Sequence, residues 1–465
     1  MTEIADLTAT ELSRHVRERT LSPVEIVEAV LTRIEQRADL NAFITVTLGE
    51  ARQEAAAAEK LAQAGGKLPA LLGVPYSVKD LVNTAGVRTT MGSRLYEDNI
   101  PAGDGVAVAR ARKAGAILIG KSTTPEFGHV QSATSPLFGR TLNPVDPTVT
   151  PGASSSGAAV AVAAGMGPIA IGTDGGGSIR IPAACCGIVG FKPTLGAVPH
   201  LQLPDLFGAN SYVGPMARTV TDAALLFEAI AGPDPGDPFG QPAALLHEAG
   251  NVSLKGLRVA WIAKGGAKVE REVAAITVRA VEMLAAEGAA VEPIEIDFKS
   301  FEPAFLTILR TGLAARVGPV VKGREALVAK SLIDTIRAGE TYSAVDLSQA
   351  ASARTVLFQM IQSVFARFDV IISPTLTAPP LPVDIDPTGD IDIDGSNEGA
   401  VRGAWYPFTY PQNLTGHPAI SLPCGQTSKG LPVGLQICAP WYRDRALLEV
   451  AAAAERVFGD WRWAG

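Results

Sequence analysis

PGASSSGAAVAVAAGMGPIAIGTDGGGSIRIP, residues 151–182, is the stretch whose reading decides the fold. It opens on a serine-rich turn, Pro151 to Gly157, continues as small apolar residues that suit a tightly packed helix, and enters a short β-rich run at Pro168–Gly172. Three glycines, Gly175–Gly177, then precede Ser178, Ile179 and Arg180. A helix, a buried strand and a glycine loop in succession are the unit of an α/β sheet, whose loops at the strand ends are where ligands bind.

The alternation extends in both directions. Strand-like runs fall at Ala42–Val46, Gly73–Val78, Ile117–Ile119, Leu257–Ile262, Val370–Ser373, Ala419–Leu422 and Gly434–Cys438. Amphipathic helical patterns at Gly105–Ala114, Thr221–Ala231, Arg271–Glu287 and Arg445–Val457 lie between many of them. Thr8 with Glu11, and Ser22 with Pro23 and Glu25, have the spacing of capping boxes that start two N-terminal helices. The expected architecture is one large α/β/α sandwich around a central mixed, mostly parallel twisted sheet, preceded by those helices. No linker, charge block or repeat divides the chain, so one domain is expected over 1–465. It has a helical lead-in at 1–65, a core at 66–235, and a C-terminal part at 236–465 that completes the sheet and supplies pocket elements.

Composition removes several functions. With 40 basic and 47 acidic side chains the net charge is −7, against nucleic-acid binding through bulk positive charge. At 47% hydrophobic and 19% charged the chain is far from the disordered class. The first residues carry acids and no basic run, and Gly157–Thr173 is too short and too weakly apolar to span a bilayer, so a cytoplasmic protein without membrane association is expected. Cys185, Cys186, Cys424 and Cys438 lack metal or redox spacing and read as buried small residues. Asp390, Asp392 and Asp394 imitate the start of a calcium loop, but its twelfth position is Val401 where a bidentate Glu is required, leaving a solvated loop. Neither a metal nor a cofactor is expected.

Two nucleotide motifs fail on context. Gly165–Ala170 fits a dinucleotide fingerprint but runs from helix to strand, the reverse of what the motif needs, and Gly115–Ser122 has P-loop spacing around what reads as a buried strand. There is no G-x-S-x-G elbow, S-x-x-K or H-E-x-x-H. His15 and His247 read as exposed, which leaves His129, His200 and His417 as candidate bases, none of them in a nucleophile motif.

The glycine loop does carry chemistry. Gly175–Gly177 is backbone without side chains ahead of a serine, so its amides can approach a reacting carbonyl and donate to the oxyanion that forms when the serine attacks. A flexible Gly/Ser turn is the plain alternative, against which stand the structured flanks and the presence of Asp174, Ser178 and Arg180 in the loop. A serine nucleophile needs a base. Lys79, at the end of an apolar run, is the candidate, because desolvation favours the neutral amine. Alone, Lys79 reads equally as a snorkelling lysine or as a partner of Asp80.

These pieces together resemble the amidase signature family, in its bacterial stand-alone form. The blocks are Gly73-Val74-Pro75 through Lys79-Asp80, Gly120–Thr123 with Glu126-Phe127-Gly128, the serine-rich turn, Gly172–Pro182, Gly187–Thr194, Gly214–Arg218, Asn413–Ile420 and Gly430–Gln436. The match covers nearly the whole chain and is weakest over about 240–365. It implies a serine, cis-serine, lysine triad, with Ser178 as acyl-enzyme nucleophile, Ser154 as proton relay after a cis peptide, and Lys79 as base. It further implies an oxyanion hole at Gly175, Gly176, Gly177 and Ser178, and a substrate pocket bordered by Gly128 and His129. Ser155, Thr173, Asp174 and Arg180 support the site. The sequence departs from the family's serine block at Ala153, Ser156 and Ala158, none of which removes a catalytic group.

Family membership leaves more than one activity open. The resemblance implies an amidase, a hydrolase of carboxylic amides or of related carbamates, esters or hydrazides. The alternatives are the glutaminase subunit of a tRNA-dependent amidotransferase and a non-catalytic interaction protein on the same scaffold. The glutaminase needs an acid two positions before the Phe-Thr pair, where this chain has Tyr406 ahead of Phe408-Thr409. An aromatic residue there favours an apolar or aromatic small-molecule substrate. A homodimer is the family-based expectation.

Overall fold

The computed structural model describes residues 3–208, 210–240 and 253–459. Among the described residues fifteen strands follow in chain order: β1 Phe43–Val46, β2 Pro75–Lys79, β3 Ile117–Ser122, β4 Thr134–Ser135, β5 Gly139–Arg140, β6 Ile169–Asp174, β7 Val189–Lys192, β8 Tyr212–Ala217, β9 Arg258–Trp261, β10 Ala290–Pro293, β11 Val370–Pro374, β12 Asp390–Ile393, β13 Ser396–Ala400, β14 Ala419–Gln426 and β15 Pro432–Cys438. Eleven of them form one sheet in the order β1-β3-β2-β6-β8-β7-β14-β15-β11-β9-β10, so strands from both halves of the chain share it.

The sheet is mixed, as expected, but six of its ten neighbouring pairs are antiparallel and four parallel, which corrects the expected parallel majority. The cause lies in the connections. A parallel neighbour needs a crossover of a dozen or more residues, whereas β14 and β15 are joined by a short turn, and β8 inserts between β6 and β7, antiparallel to both.

Period-two alternation sorts the side chains into two layers. Tyr76 and Val78 of β2, Val259 and Trp261 of β9, and Val370 and Ile372 of β11 enter one large core with the helices Ala9–Glu18, Pro23–Gln36, Val220–Ile230 and Asp444–Phe458. Ala260 and Ile371 face the other side, toward Phe305, Leu357, Trp405 and Tyr410, and beside them Ala170 meets the helix Ser156–Ala163. Both N-terminal helices begin in capping boxes, Thr8 with Glu11 and Ser22 with Glu25. All four cysteines are buried and free.

The acidic segment differs from the expected loop. Asp390–Ile393 pairs with Ser396–Ala400 as a hairpin, because alternation places Ile391 and Ile393 inside and the aspartates outside. Among the described residues one helix, Lys299–Val321, is long and apolar enough by length and composition to cross a membrane. In the fold it buries Phe305, Leu313, Val317 and Val321 against neighbouring elements.

Candidate active site

β2 and β6 are adjacent and parallel, with Val78 opposite Ile171, so their C-terminal ends bring Lys79 beside Gly172 and Thr173. Lys79 is fully buried, and its Nζ has three partners: Ser154 Oγ at 2.8 Å, Thr173 Oγ1 at 3.0 Å and the Thr173 carbonyl at 3.3 Å. Burial pushes its pKa well below the ordinary lysine value, while the charge of Asp174 works in the opposite direction. The Ala153–Ser154 peptide is cis.

The serine-rich turn is sewn to the glycine loop. The Ser155 amide donates to the Ser178 carbonyl at 3.1 Å, and Ser155 Oγ donates to the Thr173 carbonyl at 3.1 Å. Ser178 is 5% exposed, and its hydroxyl has no hydrogen-bond partner among the described residues.

Asp174 organises the loop from behind. Its Oδ1 accepts from the Gly177 amide at 2.6 Å and from Asn413 Nδ2 at 2.9 Å, and its Oδ2 accepts from the Ile179 amide at 3.2 Å. Arg180, wholly buried, donates to both carboxylate oxygens at 3.0 Å. Burial alone would neutralise Asp174, but Arg180 and Asn413 outweigh it and hold the carboxyl below the usual range. The Gly177 amide, at φ +122, is thereby engaged by Asp174. The amides of Gly175, Gly176 and Ser178 have no partner among the described residues.

Other expected residues sort by distance. Gly128, at φ +66, backs onto the relay serine: a Cβ there would sit 3.0 Å from Ser154 Oγ and 2.9 Å from Leu81 Cδ1. The ring of His129 turns elsewhere, with Nδ1 on the Glu126 carbonyl at 2.7 Å and Nε2 on Ser331 Oγ at 3.0 Å, and burial lowers its pKa to about 4. His200 contacts the Ser211 carbonyl, and His417 bonds Thr415 within a ring of Phe358, Phe365 and Trp441. None of these three histidines bonds a site serine. His15 bonds Thr20, and His247 lies outside the described residues. Tyr406 is buried one residue removed from the glycine loop: Thr409 Oγ1 lies 2.8 Å from the Gly176 carbonyl and 3.2 Å from the Tyr406 carbonyl. Burial pushes the Tyr406 phenol up to about 12.

Thr409 and Asn413 join the site without a sequence expectation behind them. Their only sequence signal is membership in the Phe408-Thr409 and Asn413–Ile420 blocks, which shows no chemistry until the fold carries them across to Gly176 and Asp174.

The sheet and its buried amine, set against a serine at the strand ends, define an α/β enzyme. The Amidase family model matches residues 25–448. The chain is 36% identical over 458 residues to an acylamidase of Rhodococcus erythropolis, covering 97% of this chain and 95% of that one. It is 34% identical to the A-type subunit of the glutamyl-tRNA(Gln) amidotransferase of Roseiflexus castenholzii, covering 99% and 97%. Among solved structures, a bacterial aryl acylamidase of the amidase signature family superposes with TM-score 0.89 at 30% identity, over 98% of this chain and 96% of that one. The protein belongs to the amidase family.

Proposed function

We propose that this amidase cleaves a small apolar or aromatic carboxylic amide through an acyl-enzyme on Ser178, with Ser154 relaying protons to and from Lys79. The observation that carries this reading is the three-point setting of Lys79 Nζ. A neutral amine has two N–H groups and one lone pair; Thr173 offers two oxygens for the N–H groups, which leaves the lone pair for the Ser154 hydroxyl. As Ser178 Oγ bonds to the carbonyl carbon, its proton passes to Ser154 Oγ while the Ser154 proton moves to Lys79. The carbonyl oxygen becomes an oxyanion facing the amides of Gly175, Gly176 and Ser178. On collapse the C–N bond breaks, and the amine departs with the proton returned from Lys79 through Ser154. Water then attacks the acyl ester by the same relay.

The glutaminase reading has relatives in its favour. Tyr406 opposes it, since that position offers no carboxylate for an α-amino group. The test is to incubate the purified chain with a fluorophosphonate, a panel of aryl and aliphatic amides, and glutamine. Labelling of Ser178 with turnover of aryl amides and none of glutamine is expected. An unlabelled Ser178 with no amide cleaved would end the acyl-enzyme proposal, and turnover of glutamine alone would end the choice of substrate.

A further inference from the structure

The Gly176–Gly177 peptide is held at both ends. Its carbonyl, on Gly176, accepts from Thr409 Oγ1 at 2.8 Å, and its N–H, on Gly177, donates to Asp174 Oδ1 at 2.6 Å. Asp174 is in turn fixed by Asn413, whose Nδ2 donates to the Asp174 carbonyl at 2.8 Å and to Oδ1 at 2.9 Å, while Asn413 Oδ1 accepts from Arg180 at 2.7 Å. Thr409 is the N-cap residue of the helical turn Tyr410–Thr415 and Asn413 lies four residues on within it, so one short element reaches one end of the peptide directly and the other through Asp174. That element is itself braced, with Phe305 stacked on Tyr410 at 4.9 Å and its ring tip against Gly176, where a Cβ would lie 2.5 Å from Cζ. All of these side chains are buried.

A peptide plane fixed at both ends leaves its neighbours little freedom, and those neighbours carry the Gly176 and Ser178 N–H groups. We infer that Thr409 and Asn413 are positioning residues: a clamp from the C-terminal part of the chain that sets the aim of the oxyanion donors without touching substrate. A donor fixed in direction before the reaction costs no reorganisation as charge develops, so the clamp stabilises the transition state more than the bound amide. The inference rests on the acyl-enzyme proposal above.

Thr409→Val keeps the volume and removes one buried hydroxyl; Thr409→Ser restores the hydroxyl; Asn413→Asp replaces the donor with an anion against Asp174. Losing an oxyanion donor costs about 10²–10³ in kcat, so a mis-aimed one should cost about ten- to a hundredfold. Thr409→Val and Asn413→Asp are expected to lower kcat by that factor with KM within about twofold. Both should weaken a trifluoromethyl ketone of the same acyl group in proportion and leave the matching secondary alcohol bound as before, and Thr409→Val, which changes no charge, should keep the pH midpoint of the parent. Thr409→Ser should recover most of the rate. A Thr409→Val enzyme with kcat within about twofold of the parent, or one that loses both inhibitors equally, overturns the clamp. Because Thr409→Val is nearly isosteric, the test does not depend on Asn413→Asp folding. An unsubstituted chain that neither cleaves amides nor adds the ketone overturns the acyl-enzyme proposal; an active parent beside an unimpaired Thr409→Val overturns the clamp alone.

Discussion

In the proposed mechanism Lys79 is the residue on which the chemistry turns, and burial is what suits it to the task. An exposed lysine is protonated at neutral pH and cannot accept a proton. Removed from water, with Asp174 only partly restoring its charge, Lys79 holds the neutral form far below the pH an ordinary lysine requires. Because the proposed base acts in its deprotonated form, the acylation rate is expected to rise with pH through the pKa of Lys79 and then level off. With acylation limiting, kcat/KM is expected to show one ascending limb whose midpoint lies well below the ordinary lysine value of 10.5. A rate independent of pH from about 5 to 10 would count against a titrating base. Lys79→Ala should abolish labelling of Ser178 by the fluorophosphonate while circular dichroism stays that of the parent. Near-normal labelling would remove Lys79 from the mechanism.

Among the elements, the short 3-10 turn Glu126–Gly128 shows how a small piece of backbone constrains the proposed relay serine. Glu126 accepts from Ser93 Oγ at 2.7 Å and from the Ala329 amide at 2.7 Å, fixing the turn between two distant segments. Gly128 then fills the space beside Ser154 with a hydrogen atom only. Gly128→Ala is expected to cost about 1–2 kcal/mol of stability for the left-handed backbone. It should also push the Ser154 hydroxyl off line, lowering kcat by about a hundredfold, the scale of a 1 Å misplacement. A Gly128→Ala enzyme of normal kcat would show that Ser154 has room to spare. The same scale shows what is legible in the sequence. Pro75–Lys79, Ile117–Ser122 and Ile169–Asp174 are readable as strands because each holds the core of a mainly apolar run, and the chemistry at their ends is readable because Lys79 closes the first and Gly175–Gly177 follow the last directly. Val189–Lys192 and Tyr212–Ala217 are not, since Gly190 in one and Gly214-Pro215 in the other imitate turns, yet both are buried throughout by neighbouring strands. Asp390–Ile393 is hidden by its charge, which masks a plain alternation. Thr409 and Asn413 are hidden for another reason: they act across more than 230 residues of sequence, a distance over which spacing carries no chemistry.

Across the whole molecule, buried titratable groups of two kinds pull stability in opposite directions. Lys79, Lys121 and Lys192 are fully buried; burial lowers Lys121 and Lys192 to about 7 and puts Lys79 well below its ordinary value. Lys121 is held by the carbonyl of Val82 and the hydroxyls of Thr84 and Thr89, and Lys192 lies over the Tyr212 ring. Above about pH 7 the folded chain holds these amines neutral, whereas the unfolded chain protonates them up to about 10.4, so unfolding takes up protons and stability rises with pH. The four cysteines behave in the reverse sense: burial pushes each thiol up, and the unfolded chain ionises them near 8.5, so unfolding releases protons and stability falls as pH climbs past that value. Tyr76, Tyr212 and Tyr410, also raised by burial, add to the release above about pH 10. At pH 8 the unfolded thiols are ionised to only about a quarter while the unfolded lysines are almost fully charged, so unfolding takes up protons on balance and stability still rises with pH. By about pH 9.5 the thiols are nine-tenths ionised and the sign reverses. Unfolding in urea under weak buffering with an indicator dye reads this directly. Proton release at pH 8 would mean that the lysines keep their charge inside the fold, and would remove the physical basis for Lys79 as a base along with it.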